Sequence, residues 1–247
     1  MASVTERLAT VRARVHAAEI AAGRPPGSVT LVAVSKTKPL AAIEEAYAAG
    51  QRDFGENYAQ ELERKARALA HLPELRWHFI GNLQRNKAKI IAAHAYALHT
   101  LDSLELAREL EKRLAPLGRT LETLVEVNVS GEHQKHGVAP RDVPALLAGL
   151  ATMPHLAPRG LMTVPPADDD ARATDSFRAL AALAANAGAF GARTPLLSMG
   201  MSHDLEIAVR EGATHVRVGT AIFGARIYAP APALPAESET PEGPSDP

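Results

Sequence analysis

Residues 29–39 read VTLVAVSKTKP, and this stretch decides the fold of the 247-residue chain. Its first six residues are apolar or β-branched, which is typical of a strand buried on both faces. The apolar run stops before Lys36, and Pro39 followed by the Ala-rich residues 40–49 predicts a helix. A buried strand followed at once by a helix is the repeating unit of α/β proteins with a parallel sheet.

The same alternation of strand and helix continues through most of the chain. Predicted strands cover 29–36, 51–56, 77–81, 96–101, 121–130, 159–164, 196–200 and 214–219. Eight strands separated by helices and short loops predict an α/β fold, a single closed (β/α)8 (TIM) barrel. An open doubly wound sheet is the alternative. That fold normally carries a Gly-rich phosphate fingerprint after its first strand, and SKTKP is not one.

One domain is predicted, over residues 1–228. It begins with an amphipathic helix that ends near Gly23, and Ser103 and Ser202 are predicted helix caps further along the chain. Residues 229–247 are rich in Pro, Ala, Glu and Ser, a composition that predicts a disordered tail.

Lys36 has two interpretations at the end of its strand. Its stem can pack against the sheet while its ammonium reaches solvent. Alternatively, it is a desolvated amine that forms a Schiff base with an aldehyde. Val32 and Val34 share a strand face with Lys36, so Lys36 points into the barrel if these valines fill it. Lys38, which precedes Pro39, is expected in solvent.

Arg217 and the loops after the last two strands form a second candidate site. Val216 and Val218 suit the helix layer, which turns Arg217 inward near the barrel mouth, where a buried guanidinium needs an acceptor. Exposed backbone N–H groups, hydroxyls and a helix start suit a phosphate, although ordinary turns and helix caps would show the same pattern. The predicted cup consists of Ser198, Met199, Gly200, Ser202, Gly219 and Thr220.

The first and last strands of a closed barrel are neighbours, so Lys36 is expected beside this cup. A lysine for an aldehyde next to a site for a phosphate matches pyridoxal 5′-phosphate. Asn57 and His78 are weaker candidates for contacts with the cofactor ring, and a barrel histidine is more often a hydrogen-bonded core group.

Strand five and its loop carry further polar residues. Glu126, Asn128 and Ser130 share one strand face and predict a polar layer inside the barrel. Residues 133–137 read HQKHG, but they do not form a defined metal-ligand pattern, so no metal site is predicted.

Composition excludes several functions. The formal net charge is −1, which gives no global attraction to nucleic acid or anionic membranes. The chain has no cysteine, which rules out disulfides and thiolate catalysis and is consistent with a cytoplasmic protein. No signal peptide or long apolar run is found in the sequence.

Seven blocks of the sequence resemble the pyridoxal phosphate homeostasis protein family. They are LVAVSKTKP (31–39), FGENYAQE (54–61), WHFIGNLQRNK (77–87), VNVSGEHQKHG (127–137), GLMT (160–163), LSMGMSHDLEIA (197–208) and RVGTAIFG (217–224). The blocks occur in order and extend the resemblance over about residues 5–228. The resemblance implies a barrel like the N-terminal domain of alanine racemase, with the cofactor held as an internal aldimine on Lys36.

The resemblance also implies a role without established catalytic turnover. Members are thought to bind, buffer or deliver pyridoxal phosphate, which affects the balance of amino acids and keto acids. The expected partners are the cofactor and apoenzymes that use it, and the protein is expected to be a cytoplasmic monomer. An amino-acid racemase is the rival hypothesis. It requires a base on each face of the substrate Cα, and only His78 and Tyr58 are candidates for the second base.

Overall fold

A computed structural model of the chain describes residues 2–132, 134, 136–166, 169–188, 190 and 194–225. Within these ranges, eight parallel strands close into a barrel in sequence order, and the first strand pairs with the last. This closure confirms the predicted (β/α)8 barrel and excludes the open sheet. The predicted tail at 229–247 lies outside the described residues.

Seven of the eight strands are shorter than the sequence patterns predict, and β6 is one residue longer. They are β1 Thr30–Val34, β2 Asp53–Glu56, β3 Arg76–Phe79, β4 Ala97–Leu101, β5 Leu121–Glu126, β6 Leu156–Met162, β7 Leu196–Ser198 and β8 His215–Val218. The fifth strand was predicted to cover 121–130, but β5 ends at Glu126, so the predicted end was wrong. Val127 forms only an isolated bridge to Val138, because the chain turns back there and Asn128 N donates to the Val138 carbonyl. The polar layer predicted along this strand therefore keeps only Glu126.

Helices surround the barrel. They are α1 Val4–Ala21, α2 Leu40–Ala48, α3 Ala59–Ala68, α4 Ala88–His94, α5 Leu104–Leu114, α6 Val143–Leu150, α7 Asp170–Asn186, α8 Leu205–Arg210 and α9 Thr220–Phe223. Ser103 caps α5 as predicted, since its side chain accepts from Leu106 N. Ser202 does not cap α8. Asp204 occupies that N-cap position, and its Oδ1 accepts from Met201 N at 2.5 Å. In the described part of the chain, no helix combines the length and hydropathy needed to cross a bilayer.

Alternation along β1 separates the outer apolar layer from the barrel interior. Leu31 and Ala33 join the core between strands and helices. A Cβ placed on Gly55 of β2 would lie 3.1 Å from Val32 Cγ1 and 3.5 Å from Val34 Cγ2, so both valines point inward. The inward direction predicted for this strand face is confirmed, and it carries on to Lys36 just beyond the strand.

Helix α1 packs against the helices next to the first and last strands of the barrel. It packs against α2, α8 and α9, with Leu8 and Val11 buried. Arg7 on α1 donates from Nε to the carbonyl of Ile222 in α9 at 2.6 Å. Because α9 has only four residues, this contact helps to fix the loop that follows β8.

Candidate functional site at the barrel mouth

A cavity of about 330 Å³ opens at the carboxyl ends of the strands. Small-molecule sites usually measure about 300–1,000 Å³, and barrels of this type carry them at this end. Its described lining consists of Val34, Lys36, Asn57, Ile80, Val164, Met201, Ser202, Arg217, Gly219 and Thr220. Six residues predicted from sequence therefore surround one cavity, which we call the mouth cavity.

The turn after β1 sends its two lysines in different directions. Lys36 is half-buried and lines the mouth cavity. Thr37 takes a left-handed φ of 64°, and its N–H donates to Glu61 Oε1 at 2.7 Å. Lys38 donates from Nζ to the carbonyls of Phe223 and Gly224 at the end of α9. The expectation that Lys38 lies in solvent was wrong, because these carbonyls hold its ammonium.

Arg217 points from β8 into the barrel, as alternation along the strand predicts. Its side chain is almost fully buried, and it donates to Ser198 Oγ at 2.7 Å and to the Thr163 carbonyl at 3.0 Å. Burial lowers the pKa of Arg217 to about 10, although the charges of Asp204 and Glu126 oppose this shift. The guanidinium therefore remains charged at neutral pH and presents a fixed positive group to the cavity.

Gly219 and Thr220 shape the cavity wall after β8. A Cβ on Gly219 would lie 3.2 Å from the Val34 carbonyl oxygen, so this strand end approaches β1 closely only because it lacks a side chain. Thr220 is the first residue of α9, where backbone N–H groups lack intrahelical acceptors. Ser202 adds a second hydroxyl to the lining.

Asn57 lies on the other side of the cavity. Its Oδ1 is buried and accepts no hydrogen bond from the described residues. Burial of an amide oxygen without a hydrogen-bond donor costs free energy. A bound molecule that donates a hydrogen bond to this atom would remove that cost. Gly81 allows the approach, since a Cβ there would lie 2.2 Å from the Asn57 carbonyl oxygen.

Three predicted cup residues do not line the mouth cavity. Ser198 is fully buried in the barrel interior, where its Oγ bonds Arg217 and His99. Met199 points outward into the apolar layer. Gly200 faces α8, because a Cβ there would lie 2.4 Å from Ala208 Cβ. The sequence pattern predicted that this whole loop would face the phosphate. In the structure, its side chains lie in three different places: the barrel interior, the apolar layer and the contact with α8.

His78 also lies away from the cavity. Only 2% of its surface is exposed, its Nε2 lies 2.9 Å from Asp53 Oδ1, and its Nδ1 lies 2.9 Å from His99 Nε2. Both ring nitrogens are therefore engaged inside the barrel, as expected for a hydrogen-bonded core histidine. A contact between His78 and a ligand in the mouth cavity is not supported by this geometry.

Sequence reasoning missed the apolar walls of the cavity. Val34 and Ile80 follow from alternation, because both occupy inward positions at the ends of their strands. Val164 and Met201 lie in loops, and no local pattern marks them. These four side chains can exclude water around the polar groups.

Glu126 lies close to the mouth without lining the cavity. It faces a neighbouring cavity of about 220 Å³ that shares Val164 with the first. Burial, reinforced by the charge of Asp102, raises the pKa of Glu126 to about 7. Among the described residues, no group of three or more possible metal ligands is found. His133 and Lys135 of the loop considered above lie outside the described residues.

The lining of the mouth cavity fits an anionic carbonyl compound. It contains an amine, a guanidinium, two hydroxyls and an unsatisfied amide oxygen, and none of its described residues is a carboxylate. A cofactor with an aldehyde for the amine, a phosphate for the guanidinium and hydroxyls, and a ring hydroxyl to donate to the amide oxygen meets each of these groups.

This fold and site define a class of protein, the barrels of the alanine racemase N-terminal domain type. The family model for the alanine racemase N-terminal domain matches residues 7–227. The alanine racemase of Corynebacterium glutamicum shares the fold with a TM-score of 0.66, at 19% identity, over 88% of this chain and 62% of that one.

Curated relatives identify the family more narrowly. The pyridoxal phosphate homeostasis protein of Pseudomonas aeruginosa is 51% identical over 230 residues, which cover 92% of this chain and 98% of that protein. Its counterpart in Escherichia coli K12 is 42% identical over 231 residues, which cover 92% and 99%. The chain belongs to the pyridoxal phosphate homeostasis protein family, as its sequence blocks predict.

A solved structure of a relative agrees with this assignment. PipY of Synechococcus elongatus PCC7942, solved with PLP bound, matches with a TM-score of 0.80 and 41% identity. The match covers 90% of this chain and 100% of that one.

Proposed function

We propose that this protein binds pyridoxal 5′-phosphate as an internal aldimine on Lys36, and that it buffers or delivers the cofactor to apoenzymes. The observation that carries the proposal is the mouth cavity, where Lys36 and Arg217 face the same space as Ser202 and Thr220. The names of its relatives and the PLP-bound structure of PipY support it.

Different residues of the mouth cavity bind the two ends of the cofactor, the aldehyde and the phosphate. Lys36 supplies the amine for the aldehyde, which gives the cofactor its covalent attachment. Ser202, Gly219 and Thr220 hold the phosphate through hydroxyls and backbone N–H groups. Arg217 contacts either the phosphate or the ring, and its fixed charge suits both.

The proposal assigns no catalytic turnover to the protein. A racemase needs a second base opposite the first, within hydrogen-bond reach of the reacting proton. His78 is buried in the barrel interior with both nitrogens engaged. Tyr58 is 55% exposed and lines a separate cavity together with Asn57. Neither position supports the second base that the racemase hypothesis requires.

The proposal also covers location and assembly. The protein is expected to act as a monomer in the cytoplasm, where apoenzymes that need the cofactor are made. Size-exclusion chromatography with light scattering measures the oligomeric state directly.

The decisive experiment is spectroscopic. The purified protein should show visible absorbance from bound cofactor, and borohydride reduction followed by peptide mass spectrometry should place the adduct on Lys36. Lys36→Ala should abolish the band, whereas the matched variant Lys38→Ala, two residues away, should retain it. An adduct on Lys38 or on any other lysine would overturn the assignment.

A transfer assay then separates carrier from enzyme. Loaded protein should restore the activity of a cofactor-free PLP enzyme, and Lys36→Ala protein should not. Racemisation of alanine, serine or glutamate should not exceed the rate with free cofactor. Turnover of about 1 per second or more, the low end of ordinary enzyme rates, would instead establish a racemase.

A further inference from the structure

A second cavity, of about 380 Å³, lies at the opposite end of the barrel, between α1 and the amino ends of β1, β2 and β3. We call it the floor cavity. Its charged lining residues are Arg12, His16, Glu19, Arg52, Asp53 and Arg76. Three guanidinium groups and only two carboxylates line this space, so positive charge is in excess among its described lining residues.

The two carboxylates of the floor cavity are already used. Glu19 is 2% exposed and accepts from Val29 N at 2.7 Å and from Gly27 N at 3.0 Å. Asp53 accepts two hydrogen bonds from Arg76, at 2.7 and 2.6 Å. These two acids therefore neutralise no other arginine of the cavity.

Arg12 is the arginine that remains uncompensated. It donates only to neutral acceptors, the Ala49 carbonyl at 2.7 Å and Gln51 Oε1 at 3.1 Å, and it forms no ion pair with any described residue. Burial, and then the charge of Arg52, lower the pKa of Arg12. Arg52 pairs with Glu74, but that carboxylate is 67% exposed and screened by water. A positive region thus faces the cavity.

The floor cavity also has apolar lining residues. Val15, Val29 and Leu31 line it beside the charged groups. An inorganic ion would gain nothing from these side chains, whereas a carbon skeleton would bury apolar surface against them.

We propose that the floor cavity binds a small organic anion whose carboxylate or phosphate bridges Arg12 and Arg52 and whose carbon part contacts Val15 and Val29. Guanidinium groups bind both kinds of head group through paired N–H donors. The site is separate from the mouth cavity and does not depend on the proposed cofactor.

The test is calorimetric titration of the cofactor-loaded protein with succinate, glycerol 3-phosphate and inorganic phosphate, each at low ionic strength. Loading is read first from visible absorbance, so that the mouth cavity is occupied. At least one organic anion should bind with a Kd below about 1 mM, more tightly than inorganic phosphate. The stronger of the two organic probes identifies the head group as carboxylate or phosphate.

Arg12→Gln should weaken this binding at least about tenfold, which is the effect of losing one charge-assisted hydrogen bond. Arg14→Gln is the matched control, because Arg14 lies on the same helix but pairs with Glu206 away from the cavity. If Arg12→Gln does not fold, amide chemical shifts of wild-type protein should move around Gln51 on titration. Equal binding by both variants, equal binding of inorganic phosphate, or shifts confined to the mouth would overturn the proposal.

A separate observation concerns the barrel interior. A chain of hydrogen bonds runs from the floor to the mouth: Asp53 Oδ1–His78 Nε2 at 2.9 Å, His78 Nδ1–His99 Nε2 at 2.9 Å, His99 Nδ1–Ser198 Oγ at 2.8 Å, and Ser198 Oγ–Arg217 Nη1 at 2.7 Å. Arg217, at the mouth end of the chain, can only donate hydrogen bonds, whereas an ionised Asp53, at the floor end, can only accept them.

The charges at the two ends determine the direction of the chain. Although burial acts to raise it, the hydrogen bonds from Arg76 and His78 hold the pKa of Asp53 below its usual range. Arg217 can only donate, so Ser198 Oγ accepts from it and gives its own proton to His99 Nδ1. Burial keeps the pKa of His99 well below its usual value, so its single proton lies on Nε2 and donates to His78 Nδ1. His78 then donates from Nε2 to Asp53.

We infer that His78 and His99 are neutral Nε2–H tautomers and that this oriented chain positions Arg217, the group that faces the proposed cofactor. The inference rests on the proposed function for its consequence, but its geometry is tested without cofactor. Nitrogen-15 NMR of histidine-labelled protein should show a protonated Nε2 and a bare Nδ1 for both residues. An Nδ1–H on either ring, or a charged His78 at neutral pH, would contradict it.

Substitution of Ser198 tests the positioning role. Ser198→Ala removes the acceptor of Arg217 Nη1 and leaves the Thr163 carbonyl in place. It should shift the visible band of bound cofactor and weaken binding at least about fivefold, whereas Ser198→Thr should restore both. Ser176→Ala, which removes another buried serine hydroxyl on α7, should change neither. An unshifted band and unchanged affinity in Ser198→Ala would exclude the positioning role, even if the cofactor is held on Lys36.

Discussion

Two regions of the molecule each contain a lysine next to β2, and they surround it differently. Lys65 of α3 is fully buried, and its Nζ donates to Glu56 Oε1 and the Ser35 carbonyl, both at 2.7 Å, and to Glu61 Oε1 at 2.8 Å. All three donors of its ammonium are used. The mouth cavity around Lys36 has no carboxylate in its described lining and includes a guanidinium instead.

The difference teaches that the surroundings, and not the residue type, decide what a lysine does. Two carboxylates, Glu56 and Glu61, pair with Lys65 and make it a structural cation. Lys36 instead faces a cavity that Arg217 also lines, a setting that suits its proposed attachment to an aldehyde. Burial raises the pKa of Glu56, and the charge of Lys65 opposes that shift, so each partner depends on the other.

The largest expected effect comes from Lys65→Met. It leaves Glu56 buried without its counter-charge and should lower the free energy of unfolding by about 3–5 kcal/mol. Denaturant unfolding of cofactor-free protein measures it. Lys36→Met is the control and should cost less than about 1 kcal/mol, because Lys36 is only half-buried whereas Lys65 is fully buried. Equal losses for the two variants would remove the distinction between these lysines.

Thr220→Val should weaken cofactor binding by about 1–3 kcal/mol, as for a lost hydrogen bond to a charged group. The free energy of unfolding without cofactor should stay unchanged, since Thr220 faces the cavity. Equilibrium titration monitored by absorbance gives the affinity. Thr174→Val on the exposed face of α7 is the matched control, and an equal loss there would show that the effect is not local.

Glu126 provides a carboxylate near the mouth that no described lysine pairs with. Because its folded pKa of about 7 lies above the ordinary glutamate pKa of 4.5, the native state holds a proton that the unfolded state has lost between these two pH values. Stability should therefore fall as pH rises from about 4.5 to 7. Glu126→Gln should remove this fall and stabilise the protein at pH 8 by about 1–2 kcal/mol.

The measurement is denaturant unfolding of both proteins at pH 4.5 and pH 8. At the lower pH the two should be nearly equal, because Glu126 is then protonated in the native state. A Glu126→Gln protein that is less stable at pH 8 would show that the carboxylate is stabilised there by Arg217.

The smallest effect is expected from Lys38→Met. Its ammonium bonds carbonyls at the end of α9, so the change should cost about 1 kcal/mol of stability. Cofactor attachment should persist, as measured by borohydride labelling. Loss of labelling in this variant, with Lys36 intact, would show that α9 must be anchored before the mouth cavity can bind.

The sequence by itself determined the alternation of strands and helices, the barrel, and the inward direction of Lys36 and Arg217. These features follow from local patterns: runs of apolar residues mark buried strands, and a period of two assigns each side chain to one face. The same local rule failed where strands end, at 127–130 and at 198–202, because alternation stops once the chain leaves the sheet.

Only the tertiary structure decided which groups meet. Barrel closure brings His78, His99 and Ser198, from three different strands, into one hydrogen-bonded chain. It also places Glu56 against Lys65 of α3, and at the floor cavity it leaves Arg12 without an ion pair to any described residue. Such contacts depend on register and on the packing of distant elements, so the energy of each polar group is set by neighbours that its own stretch of sequence does not contain.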